Sequence, residues 1–207
     1  MSFYENRILP HVINAACGSK PIMRRRNMVV PHCEGRVLEV GMGSGINLPL
    51  YDSDKVDMVW GLEPSVGMRR KAQKRLDAAQ VPVTWLDLPG ESIPLEDDSA
   101  DTVLLTFTLC TIPGAEQALS EMRRVLKPGG KLLFCEHGLA PDEAVQKWQY
   151  RINPVWKKIA GGCHVNRDIP ALISNAGFKI ESLETEYAEK TPKIAGFLNW
   201  GSAGKRA

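Results

Sequence analysis

The sequence predicts an α/β fold: a doubly wound, mostly parallel seven-stranded sheet, with an antiparallel hairpin at its C-terminal edge and an N-terminal helical cap. Three observations predict it. Between residues 36 and 136, β-branched strand-like runs alternate with helix-like ones, the order that parallel strands joined by right-handed crossovers require. The first of those runs stops at a glycine cluster, Gly41-Met42-Gly43-Ser44-Gly45, where an open sheet of this kind binds its ligand. Past residue 137 the alternation gives way to two late strand-like segments close together, which suits an antiparallel edge pair.

Residues before about Pro31 stand outside the alternation and are expected to form a helical lid. Residues 36–40 predict the first strand and 56–63 the second. The glycine cluster between them is expected to turn sharply into a helix. A helix is predicted from Pro64-Ser65 to about Ala79, with Arg69, Arg70, Lys71, Lys74 and Arg75 on its outer face. Residues 81–88 and 101–107 predict the third and fourth strands. In 115–126, Ala118, Leu119, Met122, Val125 and Leu126 keep the helical period. Lys127-Pro128-Gly129-Gly130 ends that helix, and 131–136 forms the fifth strand. In the last third, 141–159 predicts a helix whose aromatics Trp148, Tyr150 and Trp156 read as core, and 168–176 a short helix closed by Gly177. The hairpin is then 178–187 and 194–200, joined by a polar turn.

The 207 residues fit one domain: a cap (1–31), a ligand-binding core (36–136) and a last segment of helices and edge hairpin (137–207). A net charge of +2 excludes the broad basic stripe of a nucleic-acid partner, and the one basic run, Arg24-Arg25-Arg26, reads as a solvated helix face. The five cysteines form no CxxC pair and no Cys/His zinc spacing, so the expectation is reduced thiols, no metal and a cytoplasmic protein. No charged lead runs into an apolar stretch at the N-terminus, and no segment approaches the roughly 20 apolar residues of a membrane span.

The chemistry gathers at the glycine turn. A dinucleotide fingerprint needs glycine where Ile46 stands, and a phosphate loop needs a Gly-Lys-Ser/Thr that is absent. Glu39, two residues before Gly41, opposes a pyrophosphate but suits a cationic amine. Glu63 ends the second strand, about 20 residues on, where a carboxylate accepts hydrogen bonds from both ribose hydroxyls. It also opens a helix, which is the purely structural reading of the same acid.

From about Arg36 to Glu136 the chain resembles the class I S-adenosylmethionine-dependent methyltransferases, whose fold is Rossmann-like. The resemblance rests on 38–45, on Gly61-Leu62-Glu63-Pro64-Ser65, on 93–101 and on 124–130, in order and at matching spacing. It implies S-adenosyl-L-methionine as cofactor, S-adenosyl-L-homocysteine as product, and a cofactor-binding set of Glu39, Gly41, Gly43, Gly45, Asn47, Glu63, Pro64, Met68, Gly90, Glu91, Thr106 and Leu109. Many relatives carry Asp-Ala-Glu where this chain has Pro89-Gly90-Glu91, so Gly90 and Glu91 backbone, or Asp87, is left to contact the adenine.

A narrower resemblance joins 108–112, 134–137, Trp148-Gln149, 153–156, Gly162-Cys163 and Arg167 to the microsomal alkyl thiol methyltransferases. Those begin with a membrane-inserting segment not found here, so the expectation is a small-molecule acceptor, with a thiol among the candidates, and at most peripheral membrane contact. His137, just past the fifth strand, is the candidate base or acceptor-orienting residue. His164, Cys110 and Cys163 read more readily as structural. Alternatives are a quinone or phospholipid head-group acceptor at a membrane surface, and a protein that binds the cofactor without turnover. Arsenite methylation is set aside because the cysteine spacing matches no motif.

Overall fold

The structure is a computed structural model, and it describes residues 9–206. Residues 1–8 of the expected cap lie outside them. Helices α1 (Leu9–Cys17) and α2 (Lys20–Val29) supply the rest of the cap. The strands are β1 (Gly35–Val40), β2 (Val56–Leu62), β3 (Val83–Leu86), β4 (Ala100–Thr106), β5 (Leu126–His137), β6 (Phe178–Tyr187) and β7 (Phe197–Lys205). Between them lie α3 (Val66–Leu76), α4 (Ala115–Val125), α5 (Glu143–Ile159), α6 (Ile169–Asn175) and the short α7 (Lys193–Gly196).

One seven-stranded sheet runs β3-β2-β1-β4-β5-β7-β6. β1 to β5 are parallel to one another, and β7 is antiparallel to both β5 and β6. This is the Rossmann-like arrangement with the edge hairpin that the sequence predicts. Side-chain alternation along the strands splits the core between the two faces. Leu38, Val103, Leu105, Leu132 and Phe134 pack with Leu119 and Met122 of α4 and with Ile169 and Ile173 of α6. Val37, Leu104, Leu133 and Cys135 pack on the other face with Val29, Val30 and Tyr51.

Three elements differ most from expectation. β5 starts at Leu126 rather than at 131, so Lys127-Pro128-Gly129-Gly130 lies within the strand instead of before it. The glycine turn does not enter an α-helix: a run of turns and one 3₁₀ segment, Leu48–Leu50, carry the chain to β2. Gly41, Gly43 and Gly45 all have positive φ (71°, 59° and 70°), and such a left-handed series cannot continue as a right-handed helix. The last strand starts at Phe197 rather than 194, because Lys193–Gly196 forms a helical turn, and it continues to Lys205. Its extension is small and polar, and its pairing with β5 and β6, not its composition, makes it a strand.

Candidate active site

The neighbours β1 and β4 are where the winding of the sheet reverses, and their C-terminal ends open into a cleft. A cavity of about 640 Å³ lies there. Its floor is Gly41 to Ser44 after β1, Glu63 and Ser65 after β2, and Thr106 to Thr108 at the end of β4. α1 covers it with Leu9, Ile13, Asn14 and Cys17, while Lys157, Lys158, Gly161 and Gly162 close the side nearest α5. Ser44 donates to Asn14 Oδ1 at 2.6 Å, which ties the lid to the glycine turn.

The turn is shaped for close approach. A Cβ at Gly41 would lie 2.2 Å from the Thr108 side chain, and φ there is +71°. Across the cavity floor, Glu63 Oε2 accepts from Gly43 N at 2.9 Å and Oε1 from Ser65 N at 2.8 Å. Burial pushes the Glu63 carboxyl above its usual range, against the pull of those two N–H groups and of Arg69.

Beneath the floor lies a buried polar cluster. Strand alternation puts Glu39 on the face of Val37, and Thr106 on that of Leu104, under α2. Arg26 donates to Asn47 Oδ1 at 2.8 Å and to Thr106 Oγ1 at 2.7 Å. Asn47 donates to Glu39 Oε1 at 2.8 Å, and Tyr51 donates to Glu39 Oε2 at 2.6 Å. Burial raises the Glu39 pKa to about 7, opposed by the Tyr51 and Asn47 hydrogen bonds and by Arg26.

The basic run is therefore not a solvated face. Arg25 and Arg26 are only 8% and 4% exposed. Arg25 pairs with Glu186 and stacks 4.7 Å from the Trp200 ring, and Arg26 lies over Phe107. The missed signal was periodic: Ile22, Arg25, Arg26 and Val29 stand at i, i+3, i+4 and i+7, one helix stripe that faces inward.

Of the residues singled out from the sequence, Gly41, Gly43, Glu63, Met68 and Thr106 line the cavity. Glu39 and Asn47 sit behind it in the polar cluster. Gly45 packs against Leu48 and Ala72, and Gly90 against Ile112 and Val40. Glu91 Oε1 accepts from Gly114 N at the start of α4, Asp87 pairs with Arg69, Leu109 is core and Pro64 is exposed. Asn14, Arg26, Thr108, Lys157 and Lys158 line the cavity without having been singled out for it.

His137 does not line it either. Its Nε2 lies 3.0 Å from Cys163 Sγ, and Cys163 Sγ lies 3.7 Å from Cys110 Sγ. Hydrogen bonding to Cys110 and burial both push the Cys163 thiol up. Next to His137, Glu136 is fully buried, and its Oε1 accepts from Thr108 N and Leu109 N. That carboxylate fixes the loop after β4, where Phe107 holds a φ of +57°. The aromatics of α5 do not form core: Trp148 and Tyr150 are exposed, and Trp156 is half-buried.

A cofactor bearing a ribose diol and a charged amino-acid end fits these residues. The cleft falls within the roughly 300–1,000 Å³ of small-molecule sites. Its glycine cradle meets an acceptor carboxylate at Glu63, and a guanidinium reaches it at Arg26. Fold and site thus have the features of the Rossmann-like class, with a β1 turn suited to a nucleoside-linked cofactor.

Comparison with known proteins gives the family. A methyltransferase domain is matched over residues 38–134. The chain is 33% identical over 157 residues to the thiol S-methyltransferase TMT1B of Rattus norvegicus, covering 73% of this chain and 63% of that protein. It is 36% identical over 118 residues to the phosphatidylethanolamine N-methyltransferase of Cereibacter sphaeroides, covering 55% of this chain and 57% of that one. The S-adenosylmethionine-dependent methyltransferase of Mesorhizobium loti shares the fold, with a TM-score of 0.68 at 18% identity, over 91% of this chain and 99% of that one. The chain belongs to the class I S-adenosylmethionine-dependent methyltransferases. It spans about three-fifths of the length of the thiol S-methyltransferases it matches. Among the described residues, no helix is long and apolar enough to cross a membrane.

Proposed function

We propose that the protein methylates a small thiol, with the cofactor held over the glycine turn and the acceptor admitted between α1 and the end of α5. When bound, S-adenosylmethionine supplies a sulfonium methyl that is already electrophilic. In this reading Glu63 takes the ribose hydroxyls, and the backbone from Gly41 to Gly43 runs along the methionine part. Arg26 takes the methionine carboxylate. Glu39, Asn47 and Thr106 keep Arg26 in place, so the amino-acid end is read through the guanidinium instead of by Glu39 directly. The cap, the cofactor core and the acceptor side act as segments of one domain.

One observation carries the choice of acceptor. Among the described lining residues Glu63 is the single carboxylate, no histidine is present, and Lys157 and Lys158 supply positive charge. An oxygen or carbon acceptor needs a base at the reacting atom. A thiol, with a pKa near 8.5, ionises readily, and two ammonium groups favour the thiolate. The likeness to a thiol S-methyltransferase supports the same choice. His137 acts here as a positioning residue that fixes Cys163, the chain neighbour of the cavity-lining Gly162.

The test is release of S-adenosylhomocysteine with a panel of alkyl thiols, phenols and amines. Turnover confined to thiols, with a rate that climbs with the thiolate fraction, is expected. Turnover of phenols or amines alone would overturn the thiol reading, and silence on every acceptor despite tight cofactor binding would overturn transfer itself.

A lipid head group is a second reading, favoured by the outer face of α5. There Trp148, Tyr150 and Val155 are exposed beside Lys147 and Arg151, a pattern suited to an anionic membrane surface. Sedimentation with anionic vesicles distinguishes it.

A further inference from the structure

We propose that Cys110, His137 and Cys163 form a binding site for one zinc ion, with three protein ligands and a fourth position open toward the cofactor cavity. The three residues come from separate segments: the loop after β4, the end of β5 and the loop after α5. No sequence spacing announces them, because only the fold brings them together. Their ligating atoms all lie within 4.8 Å of one another, and no other such trio occurs among the described residues.

The distances suit the ion. Zinc–sulfur bonds of about 2.3 Å in a tetrahedron set two sulfurs about 3.8 Å apart, and Cys163 Sγ lies 3.7 Å from Cys110 Sγ. A sulfur and a nitrogen on the same ion stand about 3.5 Å apart. His137 Nε2 and Cys163 Sγ are at 3.0 Å, a hydrogen-bond contact. Exchanging that proton for the ion opens this edge by about half an ångström, the sulfur–sulfur edge needs no change, and the Cys110–His137 edge, within 4.8 Å, closes onto the ion.

The donor set is the one zinc prefers over magnesium or calcium: two sulfurs and one imidazole. Without an ion the cluster is a poor use of a buried site. Two thiols and an imidazole offer each other only weak hydrogen bonds. A divalent cation takes the place of both thiol protons, and the two thiolates balance its charge.

Three protein ligands and a vacant fourth are the pattern of zinc sites that exchange a ligand. Here cluster and cavity are adjacent along the chain. Thr111 and Gly162, the chain neighbours of Cys110 and Cys163, both line the cavity, and Cys110 Sγ lies 3.4 Å from Thr111 Oγ1. In this proposal a shift of Thr111 or Gly162 admits water or a sulfur compound from the cavity to the fourth position. The metal site stands apart from the identity of the methyl acceptor and is read without turnover.

Cobalt(II) is the probe, added to purified, fully reduced protein without cofactor or acceptor. One equivalent is expected to bind, with thiolate-to-cobalt charge-transfer absorption and the strong visible bands of a four-coordinate ion, and one equivalent of zinc should displace it. Cys110→Ser and Cys163→Ser should each lose the charge-transfer band or shift it markedly, with Cys33→Ser unchanged. Thermal melts separate loss of the site from loss of the fold. A faint six-coordinate spectrum in folded protein, or the same spectrum in both cysteine variants, would overturn the site. Added ethanethiol should shift the visible bands, and an unaltered spectrum at saturating thiol would overturn the open position.

Discussion

The two sides of the cleft were written in different languages. On the cofactor side, the turn after β1 and the end of β2 follow one another within about 20 residues, and their glycines and carboxylates face the ligand from positions that local spacing defines. On the side that closes the cleft, α1, α2, the loop after β4 and the end of α5 contribute between one and four residues each, from distant parts of the chain. The first half is built from backbone conformation, which a sequence states directly. The second is built from tertiary packing, which it states only through patterns that several structures can share.

Arg26 is the sharpest test of that contrast, because it belongs to the second side yet holds the floor of the first. Arg26→Met keeps the aliphatic bulk and removes the charge, leaving Glu39, Asn47 and Thr106 buried without their cation. A loss of about 3–5 kcal/mol in unfolding free energy is expected, the usual cost of stranding one partner of a buried charged network. Cofactor affinity should fall as well. Urea denaturation and calorimetry read the two effects. A change within about 0.5 kcal/mol, as at ordinary surface positions, would return the arginine to the solvated face that its neighbours suggested.

Glu39 gives the next effect through pH. Its pKa rises on folding from the ordinary 4.5 to about 7. Between those values the folded protein holds a proton that the unfolded chain has lost, so the native state binds more protons and stability falls as pH rises. The contribution is fully present below 4.5, declines through this window and is flat above 7, for a total of no more than about 3 kcal/mol. Glu39→Gln should abolish the decline. If denaturant midpoints from pH 4.5 to 7.5 run parallel in the two proteins, the carboxyl is ionised throughout and Arg26 dominates burial.

These two residues also show how much was legible. The parallel core and the edge hairpin followed from the alternation of runs, since each run had one plausible period. Glu63 was placed at the cleft by its position at the end of a strand, and Gly41 and Gly43 by their turn. Arg26 was not, because three adjacent arginines look like a charged face until Ile22 and Val29 are counted on the same stripe. The Cys110–His137–Cys163 trio was invisible for a stronger reason: no local period relates the ends of β4, β5 and α5. Glu91 and Leu109 were chosen by alignment to a motif, yet one holds the start of α4 and the other fills the core.

Glu63 sharpens the cofactor side. Glu63→Ala removes an acceptor aimed into the cavity and frees Gly43 N and Ser65 N, which solvent can satisfy from the open cleft. Cofactor affinity should fall by about 1–3 kcal/mol, the range for lost charge-assisted hydrogen bonds, while the melting temperature changes little. Calorimetry with S-adenosylhomocysteine measures it. Unchanged affinity would mean that the carboxylate only staples the turn to α3, and the ribose partner lies elsewhere.

The smallest effect is expected on α5, where the aromatics read as core from the sequence. Trp148 is 55% exposed and its ring is covered on one side by Arg151, at 5.3 Å. Trp148→Ser should therefore move stability by no more than about 0.5 kcal/mol. Trp156, two helical turns further along, is half-buried with its Nε1 out of solvent, and Trp156→Ala should cost several times as much. Equal losses at the two positions would show that the outer face is covered, which is where the sequence reading began. With stability unaffected, the Trp148 variant becomes a clean probe of that face: lost sedimentation with anionic vesicles would assign the ring to a membrane surface, and full turnover of a water-soluble thiol by the same variant would separate docking from chemistry.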